Sequence, residues 1–468
     1  MRWTVLRQVA ISFLLAGLSM PAFGRTRPHY GGTLRVEIDG DAWTPIVTQS
    51  QGLGSPLARR LIFDGLTRVG ADGSVLPALA VRWASENNDH RWQFWLRPGV
   101  HFQDSSPLTT AAVVTSLTGS CGAECPWTTV RTIGSSVVFT SDSPMPSLPT
   151  LLAGDDFLIV HAATSGGDAA TQASSSIGPF VGTGAFEASG FANGVLTLTA
   201  NESCWEGRPF LDRIEIVGEK SIRDQWLDLS LGRADVVEVP AEQLREAHEK
   251  RLTVVASGPV SLLALAVADG GVLSDPNLRA AIALAVDRTA LSNVIFQKQG
   301  DISASLLPSA ITGYGFLFPS DRDVNKAREL RGGLTPPGLT ISTDGNAAMQ
   351  LAAQRIALNL REVGFNVQMA AQGAPRRAEM VLLRLTLASN QPQAALESLL
   401  HSVGVASPVI EDNSPGLYKV EREFLQTHTL IPLLYLPRAY AVGGRVRDFN
   451  LSTDGTPLLA CVSLQDAP

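Results

Sequence analysis

The sequence is poor in charge and in long apolar runs, and each shortage excludes a class of protein. Only 17% of its 468 residues are charged while 45% are hydrophobic, a balance that excludes an intrinsically disordered chain. The formal net charge of −7 argues against broad electrostatic binding of nucleic acid phosphates. Because the only apolar run that resembles a membrane-directed segment lies in the first 24 residues, the sequence also excludes a protein with several membrane spans.

Motifs of catalysis are missing as well. The sequence has no Gly-x-Ser-x-Gly turn to present a nucleophilic serine, no Gly-x-x-x-x-Gly-Lys phosphate-binding loop and no His-Glu-x-x-His metal-binding helix. The seven histidines are scattered along the chain. Asp155 and Asp156 are adjacent acids on a predicted loop, where neighbouring side chains point apart. We therefore expect a protein that is not an enzyme, with no cofactor and no metal site.

What the sequence does contain is a secretory signal peptide. A short basic region at residues 1–7 precedes an apolar run, and the run ends in small residues at Ala22 and Gly24. We expect cleavage after Gly24, and no lipid anchor because no cysteine lies near that site. Export also permits disulfides, and the four cysteines allow three pairings. Cys121 and Cys125 flank a glycine-containing loop that allows a tight local bridge, with zinc as the alternative.

The length and the periodicity predict an α/β protein with several lobes. A chain of 468 residues exceeds the roughly 250–300 residues at which a single core stops growing. Alternation of apolar and polar residues predicts strands at 33–38, 92–96 and 195–199. Apolar residues at helical spacing predict helices at 278–291 and 349–360.

Several motifs, in this order along the chain, resemble the family 5 extracellular solute-binding proteins, which serve peptide and nickel ATP-binding-cassette importers. The segments that carry the resemblance are Tyr30-Gly31-Gly32-Thr33-Leu34, Ile62-Phe63-Asp64-Gly65-Leu66, Trp92-Gln93-Phe94-Trp95-Leu96, Gly182-Thr183-Gly184, Asn201 with Trp205, Gly232-Arg233-Ala234-Asp235, Asp275-Pro276-Asn277-Leu278-Arg279, Ala285-Val286-Asp287-Arg288 and Ile431-Pro432-Leu433.

The resemblance implies a bilobal periplasmic binding protein-like fold of type II, similar to cluster C, with an extra subdomain in lobe I and a ligand cleft between the lobes. The implied parts are residues 30–50, 180–257 and 436–464 for lobe I, 51–179 for the subdomain and 258–435 for lobe II. Such a receptor closes around a solute without a chemical step, which agrees with the missing catalytic motifs.

The same resemblance suggests where the solute binds. Trp43 follows Asp39 and Asp41 on a loop that should face the cleft, and we predict a stacking surface there. Peptide-binding relatives carry an acid and a tryptophan in a lobe II segment that corresponds to residues 380–390, and this chain has neither. Asp39 or Asp269 would replace the missing charge. Arg384, if it faces the cleft, would favour an acidic solute, and Thr386 of the same segment is the other candidate contact.

The resemblance also suggests the cysteine pairing. Cys204 occupies a position where relatives have tyrosine beside Trp205, and Cys461 lies in the terminal segment of the same lobe. We predict bridges between Cys121 and Cys125 and between Cys204 and Cys461.

The leading hypothesis is a monomeric periplasmic receptor that binds a small solute, with oligopeptides among the candidates, and delivers it to an ATP-binding-cassette permease in the inner membrane. A divergent member of the family that acts as a sensor or scaffold without transport is the alternative. No nucleic acid partner is expected.

Overall fold

The structure is a computed structural model of the chain. It describes residues 29–43, 56–70, 73–121, 125–162, 180–314, 318–333, 338–343, 347–370, 378–387, 391–405 and 414–465. The predicted signal peptide lies outside these residues. Within them, no helix is long and apolar enough to cross a membrane.

The described residues form twenty-one strands. In chain order they are β1 (Thr33–Glu37), β2 (Thr67–Val69), β3 (Val75–Pro77), β4 (Ala80–Glu86), β5 (Arg91–Leu96), β6 (Thr129–Ile133), β7 (Ser136–Thr140), β8 (His161–Ala162), β9 (Phe180–Val181), β10 (Phe186–Ala192), β11 (Val195–Ala200), β12 (Arg213–Val217), β13 (Val236–Val239), β14 (Val254–Val267), β15 (Asp301–Ile302), β16 (Leu339–Thr343), β17 (Val367–Met369), β18 (Met380–Thr386), β19 (Leu430–Val442), β20 (Val446–Arg447) and β21 (Ser463–Leu464).

Helices alternate with these strands, as expected of an α/β protein. The α-helices among the described residues are α1 (Pro56–Ile62), α2 (Thr110–Cys121), α3 (Leu148–Leu151), α4 (Ile222–Ser230), α5 (Leu244–Glu249), α6 (Pro276–Ala285), α7 (Arg288–Ala290), α8 (Ser309–Thr312), α9 (Val324–Arg331), α10 (Ala347–Glu362), α11 (Pro392–Ser402) and α12 (Ser414–Leu425). Short 3-10 helices cover Asp155–Phe157, Ala241–Gln243, Gly271–Ser274 and Leu459–Cys461, and one π-helical turn covers Leu291–Ile295.

One mixed sheet runs through both lobes in the order β10, β11, β12, β1, β13, β19, β14, β18, β16, β17, with β15 added to β19. β1 pairs in parallel with β12 and β13 in lobe I. β16 pairs in parallel with β17 and β18 in lobe II. The long antiparallel strands β14 and β19 connect the two halves, and Pro259 faces Pro437 where they cross from lobe I to lobe II.

Separate hydrophobic cores stabilise these parts. Lobe I has its core around β1 and β10–β13, and this core also takes in Leu57, Leu61 and Phe63 from the range predicted as subdomain. The subdomain packs a four-stranded sheet, β4-β5-β7-β6, against α2. The lobe II sheet is covered on both faces, by α6 and α10 on one side and by α11 and α12 on the other. The two lobes are thus built as distinct packed units, whereas their predicted boundaries stay predictions.

Motif residues that lie far apart in the sequence meet where the subdomain joins lobe I. The buried Asp64 carboxylate accepts hydrogen bonds from Thr183 Oγ1 at 2.8 Å and from Trp205 Nε1 at 2.9 Å. Burial raises the pKa of Asp64, and these two hydrogen bonds oppose the rise. A Cβ on Gly182 would lie 2.0 Å from the Ile62 carbonyl oxygen. These motif residues therefore hold the fold together, and their spacing says nothing about the solute.

Four of the five elements that the periodicity predicted are confirmed. β1, β5, β11 and α10 lie where the sequence indicated, and Trp92 and Phe94 of β5 are buried in the subdomain core. The single helix expected over 278–291 is wrong. It ends at Ala285, and Asp287 caps a new helix by accepting a hydrogen bond from the Ala290 backbone N–H at 2.8 Å.

Candidate ligand cleft

In lobe I, the carboxyl ends of parallel strands meet at the edge that faces lobe II. β1, β12 and β13 run in the same direction, so the residues that follow them lie at one edge. Asp39 follows β1, Ser221 follows β12 and begins α4 as its N-cap, and Pro240 and Glu242 follow β13. The parallel order of these three strands therefore brings Asp39, Ser221 and Glu242 to the same edge of the sheet.

The corresponding edge of lobe II faces back toward lobe I. β16 and β18 are parallel and end at Thr343 and Thr386. Thr386 lies opposite Ser261, close to the Pro259 and Pro437 crossing. α10 begins a few residues after β16, so its first turns belong to this edge. In open α/β sheets, ligands bind at such carboxyl edges.

A cavity of about 730 Å³ lies between the two edges. This volume falls in the roughly 300–1,000 Å³ range of small-molecule sites. Its lining residues are Asp39, Ser221, Ile222, Pro240, Glu242 and Gln243 from lobe I, and Val294, Ile295, Gln297, Ala347, Ala348, Leu351, Gln354, Arg355 and Leu358 from lobe II. Since both lobes contribute to the lining, a solute bound there would contact both at once.

Asp39 lines this cavity, as expected of a cleft residue, with an exposed side chain. Its backbone N–H donates to Glu238 Oε2 at 2.6 Å, which fixes the loop after β1. Burial raises the pKa of Glu238, whereas the hydrogen bond from Asp39 lowers it. Among the described residues, none donates a hydrogen bond to the Asp39 carboxylate. The residue lines the cavity, so this carboxylate is available to a cationic group of a solute.

Arg384 crosses between the lobes at the edge of the cavity. Its Nη2 lies 3.7 Å from Glu242 Oε2 of lobe I, and its guanidinium carbon lies 5.9 Å from the centroid of the Phe296 ring. Arg384 thus faces lobe I, which is the condition under which it would favour an acidic solute. Because Glu242 already balances its charge, Arg384 acts as a contact between the lobes.

Four other predicted site residues lie elsewhere. Trp43 is only 4% exposed and packs in the lobe I core. The prediction that its ring forms a stacking surface for the solute is therefore wrong. The large aromatic ring buries more apolar area in the core than it would in the cleft. Asp269 lies two residues beyond the end of β14 that is remote from Pro259, and it pairs with the buried Arg279 at 2.9 Å. Asp41 and Thr386 are exposed and are absent from the cavity lining.

One of the two predicted disulfides is not present among the described cysteines. Cys204 and Cys461 are free thiols, so the bridge predicted between them is wrong for this structure. Cys204 is held in its own turn, where its N–H donates to the Asn201 carbonyl oxygen, and Cys461 is exposed at the end of a 3-10 helix. Cys125 is disulfide-bonded. The Cys121 side chain lies outside the described residues, so its pairing with Cys125 stays a prediction.

The residues that lobe II contributes to the cavity were not predicted. The face of α10 with Met349, Ala353 and Ile356 is buried, whereas Leu351 and Leu358 on its opposite face line the cavity. The helical period alone separates these two faces, so that signal was available. In the described ranges, no group of three or more His, Cys, Asp or Glu side chains is placed to hold a metal ion.

The family model of the bacterial extracellular solute-binding proteins, family 5, matches residues 74–407. The chain belongs to this family. Its members bind solutes outside the cytoplasm, so the cavity between the lobes is the candidate solute site of a solute-binding protein.

Individual relatives agree with this assignment. A probable di/tripeptide-binding protein 5 of Pseudomonas aeruginosa is 25% identical over 410 residues, which cover 77% of this chain and 75% of that protein. The binding protein AgaA of Agrobacterium tumefaciens R10, solved with agropinic acid, has a TM-score of 0.79 at 20% identity and covers 93% and 99% of the two chains. DppA of Helicobacter pylori, solved with the peptide STSA, has a TM-score of 0.78 at 18% identity and covers 94% and 99%. These two structures show the bilobal fold.

Proposed function

We propose that this solute-binding protein is the receptor of an ATP-binding-cassette importer, and that it captures a small peptide-like solute by closing its two lobes. The observation that carries the proposal is the cavity of about 730 Å³ that both lobes line. The relative from P. aeruginosa is named for di- and tripeptides, which favours a solute of that size class.

Capture requires no chemical step. Closing the lobes removes water from the apolar lining and brings lobe I and lobe II side chains onto the same solute, and both effects stabilise the closed form. The antiparallel pair of β14 and β19 is the natural axis for this motion, because both strands continue from one lobe into the other.

The site of action is the periplasm. The signal peptide expected at residues 1–24 supports export, and the lack of a cysteine near Gly24 supports a form without a lipid anchor. The receptor works as a monomer that presents the solute to a permease in the inner membrane. The proposed Cys121–Cys125 bridge suits this oxidising compartment.

Binding and closure should be measured together. Native mass spectrometry of protein isolated from its own periplasm tests for a bound solute, and small-angle X-ray scattering tests for a smaller radius of gyration once that solute or a di- or tripeptide is added. A large side chain at the exposed lining residue Ala347 should prevent both effects, whereas the same change at Ala84, exposed on β4 of the subdomain, should not.

Ala347→Trp and Ala84→Trp are therefore the test and its matched control. Loss of closure in Ala347→Trp alone would support the cavity as the solute site. Equal closure in both variants, or no closure of the unmodified protein with any solute, would contradict the proposal.

A further inference from the structure

One side chain contacts the cleft loop and also faces the strand that forms the hinge. Glu238 lies on β13, and its carboxylate oxygen Oε2 accepts the Asp39 backbone N–H at 2.6 Å. Asp39 is exposed and lines the cavity, whereas Glu238 is partly buried and is absent from the lining. Glu238 therefore acts on the cleft through Asp39 rather than by contact with a solute.

On its other side Glu238 faces β19. The two strands pair so that Glu238 lies opposite Tyr440, and paired side chains in an antiparallel sheet point to the same face. Arg438 lies two residues before Tyr440 and shares this face, where its Nη2 donates to the Tyr440 hydroxyl at 3.2 Å. Burial raises the pKa of Glu238, and the hydrogen bond from Asp39 and the positive charge of Arg438 oppose the rise.

Arg438 is the first residue after the point where β19 passes between the lobes. It follows Pro437, and its backbone N–H donates to Ser257 Oγ at 3.0 Å, so a side-chain oxygen accepts this hydrogen bond. The guanidinium donates to Thr456 Oγ1 at 3.3 Å, a neutral group that leaves its charge unbalanced. A rotation of the backbone at Pro437 therefore moves the cation that acts on Glu238.

The other described groups around the Glu238 carboxylate are acidic or neutral. The acidic side chain of Asp39, on the loop after β1, adds to the rise in the pKa of Glu238 that burial causes. Gln225 of α4 is neutral and fully buried, and its amide oxygen accepts the Glu238 N–H at 2.9 Å. Burial raises the pKa of Tyr440 to about 12, so its hydroxyl is neutral at physiological pH. Among the described groups that act on this carboxylate, Arg438 is thus the only cation.

We propose that Glu238 is a positioning residue that couples the hinge to the cleft. Its carboxylate holds the loop at Asp39, and the charge of Arg438 keeps that carboxylate ionised and therefore a stronger acceptor for the Asp39 N–H. Movement of the hinge then changes how firmly the cleft loop is held. The coupling to solute binding rests on the proposed function as a receptor that closes its lobes, whereas the contacts between Asp39, Glu238 and Arg438 do not.

Nuclear magnetic resonance of the solute-free protein tests these contacts alone. The pH titration of Glu238 should be visible at the Asp39 amide, because that N–H donates to the titrating carboxylate, and Glu238→Gln should remove this component. Arg438→Gln should move its midpoint to higher pH, since loss of the cation disfavours the ionised form. The matched control is Arg213→Gln, at the exposed start of β12, which should leave the midpoint unchanged.

Isothermal titration calorimetry at neutral pH, with trialanine as the probe solute, tests the coupling to the cleft. Glu238→Ala loses the acceptor and should lower the affinity about tenfold. Glu238→Gln keeps a weaker, neutral acceptor and should lower the affinity only about threefold. Glu215→Ala is the matched control and should leave the affinity unchanged, because Glu215 lies on β12, pairs with Arg35 and is absent from the cavity lining.

A double-mutant cycle separates this coupling from a purely structural role. Arg438→Gln should lower the affinity for trialanine about threefold in the unmodified protein and have no further effect in the Glu238→Gln background. Independent structural effects would add instead. An equal loss of affinity in both backgrounds would therefore overturn the coupling.

Failure of this inference differs from failure of the receptor proposal. If the Asp39 amide titrates in Glu238→Gln or Arg438→Gln as it does in the unmodified protein, the inference is overturned even if a solute closes the lobes. If trialanine does not bind, the cycle is measured with the solute that native mass spectrometry identifies, and the same two results decide it. If no solute closes the lobes, the receptor proposal fails and the coupling to binding is overturned with it.

Discussion

Pro259 of β14 lies opposite Pro437 of β19 at the point where both strands pass between the lobes. Proline has no backbone N–H, so this pair cannot form the ladder hydrogen bonds that two other residues would form. The register of the two strands also shifts on both sides of Pro259. The main sheet is therefore weakest where a binding protein must bend.

Restoring backbone donors at this point should stiffen the hinge. We expect the double variant Pro259→Ala and Pro437→Ala to close more slowly and over a smaller range when solute is added, because two further N–H groups can join the ladder. Stopped-flow fluorescence and small-angle X-ray scattering measure the rate and the range. Pro432→Ala, on β19 but within lobe II, is the control. Closure as fast and as wide as in the unmodified protein would contradict this role of the prolines.

The ion pair between Glu242 and Arg384 should contribute to the contact between the lobes. The two side chains are 11% and 31% exposed, so we expect a coupling of about 0.5–1 kcal/mol from a double-mutant cycle with Glu242→Gln and Arg384→Gln, weaker at high salt. Because the pair connects the two lobes, the coupling should also appear in solute affinity.

The pair of Arg245 and Glu249 is a matched control. Its atoms are closer, at 2.9 Å, but both residues lie on α5 and are 71% and 62% exposed. A cycle on this pair should leave solute affinity unchanged. Equal effects of the two cycles on affinity would show that the Glu242–Arg384 pair has no special role between the lobes.

Local patterns predicted individual strands and helices because the spacing of apolar residues indicates both the local backbone conformation and the side of the element that is buried. The alternation around Trp92 and Phe94 identified a strand and its buried face correctly. The resemblance to family 5 proteins, and no local pattern, placed the loop with Asp39 at the cleft, and Asp39 lines the cavity.

Contacts between distant segments were not predictable in this way. Asp269 follows β14 just as Asp39 follows β1, yet it pairs with Arg279 at the end of lobe II remote from Pro259. The ring of Trp43 is buried by elements that the local sequence does not contain. Which face of α10 meets the cleft depends on how the two lobes are joined, and that is a property of the sheet topology.

A glycine prediction tests the junction between the subdomain and lobe I. A methyl group on Gly182 would lie 2.0 Å from the Ile62 carbonyl oxygen, whereas one on Gly190 meets nothing within 4 Å. We expect Gly182→Ala to lower the free energy of unfolding by about 3 kcal/mol, or to prevent folding. Gly190→Ala should change it by less than about 1 kcal/mol. Urea denaturation compares the two, and similar values would refute the proposed close approach.

A buried carboxylate connects lobe II to the subdomain. Glu397 of α11 is 8% exposed, α11 packs against α3, and the Glu397 carboxylate is hydrogen-bonded to Ser147, which precedes α3. Burial raises the pKa of Glu397 to about 7 from its ordinary value of 4.5, and the hydrogen bond from Ser147 opposes the rise. The folded protein thus holds a proton here at pH values where the unfolded chain has released it.

Stability should therefore fall as pH rises from about 4.5 to about 7, the two pKa values of Glu397. Ionisation of Glu397 should lower the free energy of unfolding by about 3 kcal/mol. This loss is absent below the lower pKa and complete above the upper pKa. Glu397→Gln should remove this part of the pH dependence, because the amide stays neutral throughout. Glu423→Gln, at an exposed position of α12, serves as the control and should retain it. Urea denaturation at several pH values measures both, and identical slopes in the two variants would show that Glu397 is ionised in the folded protein across this range.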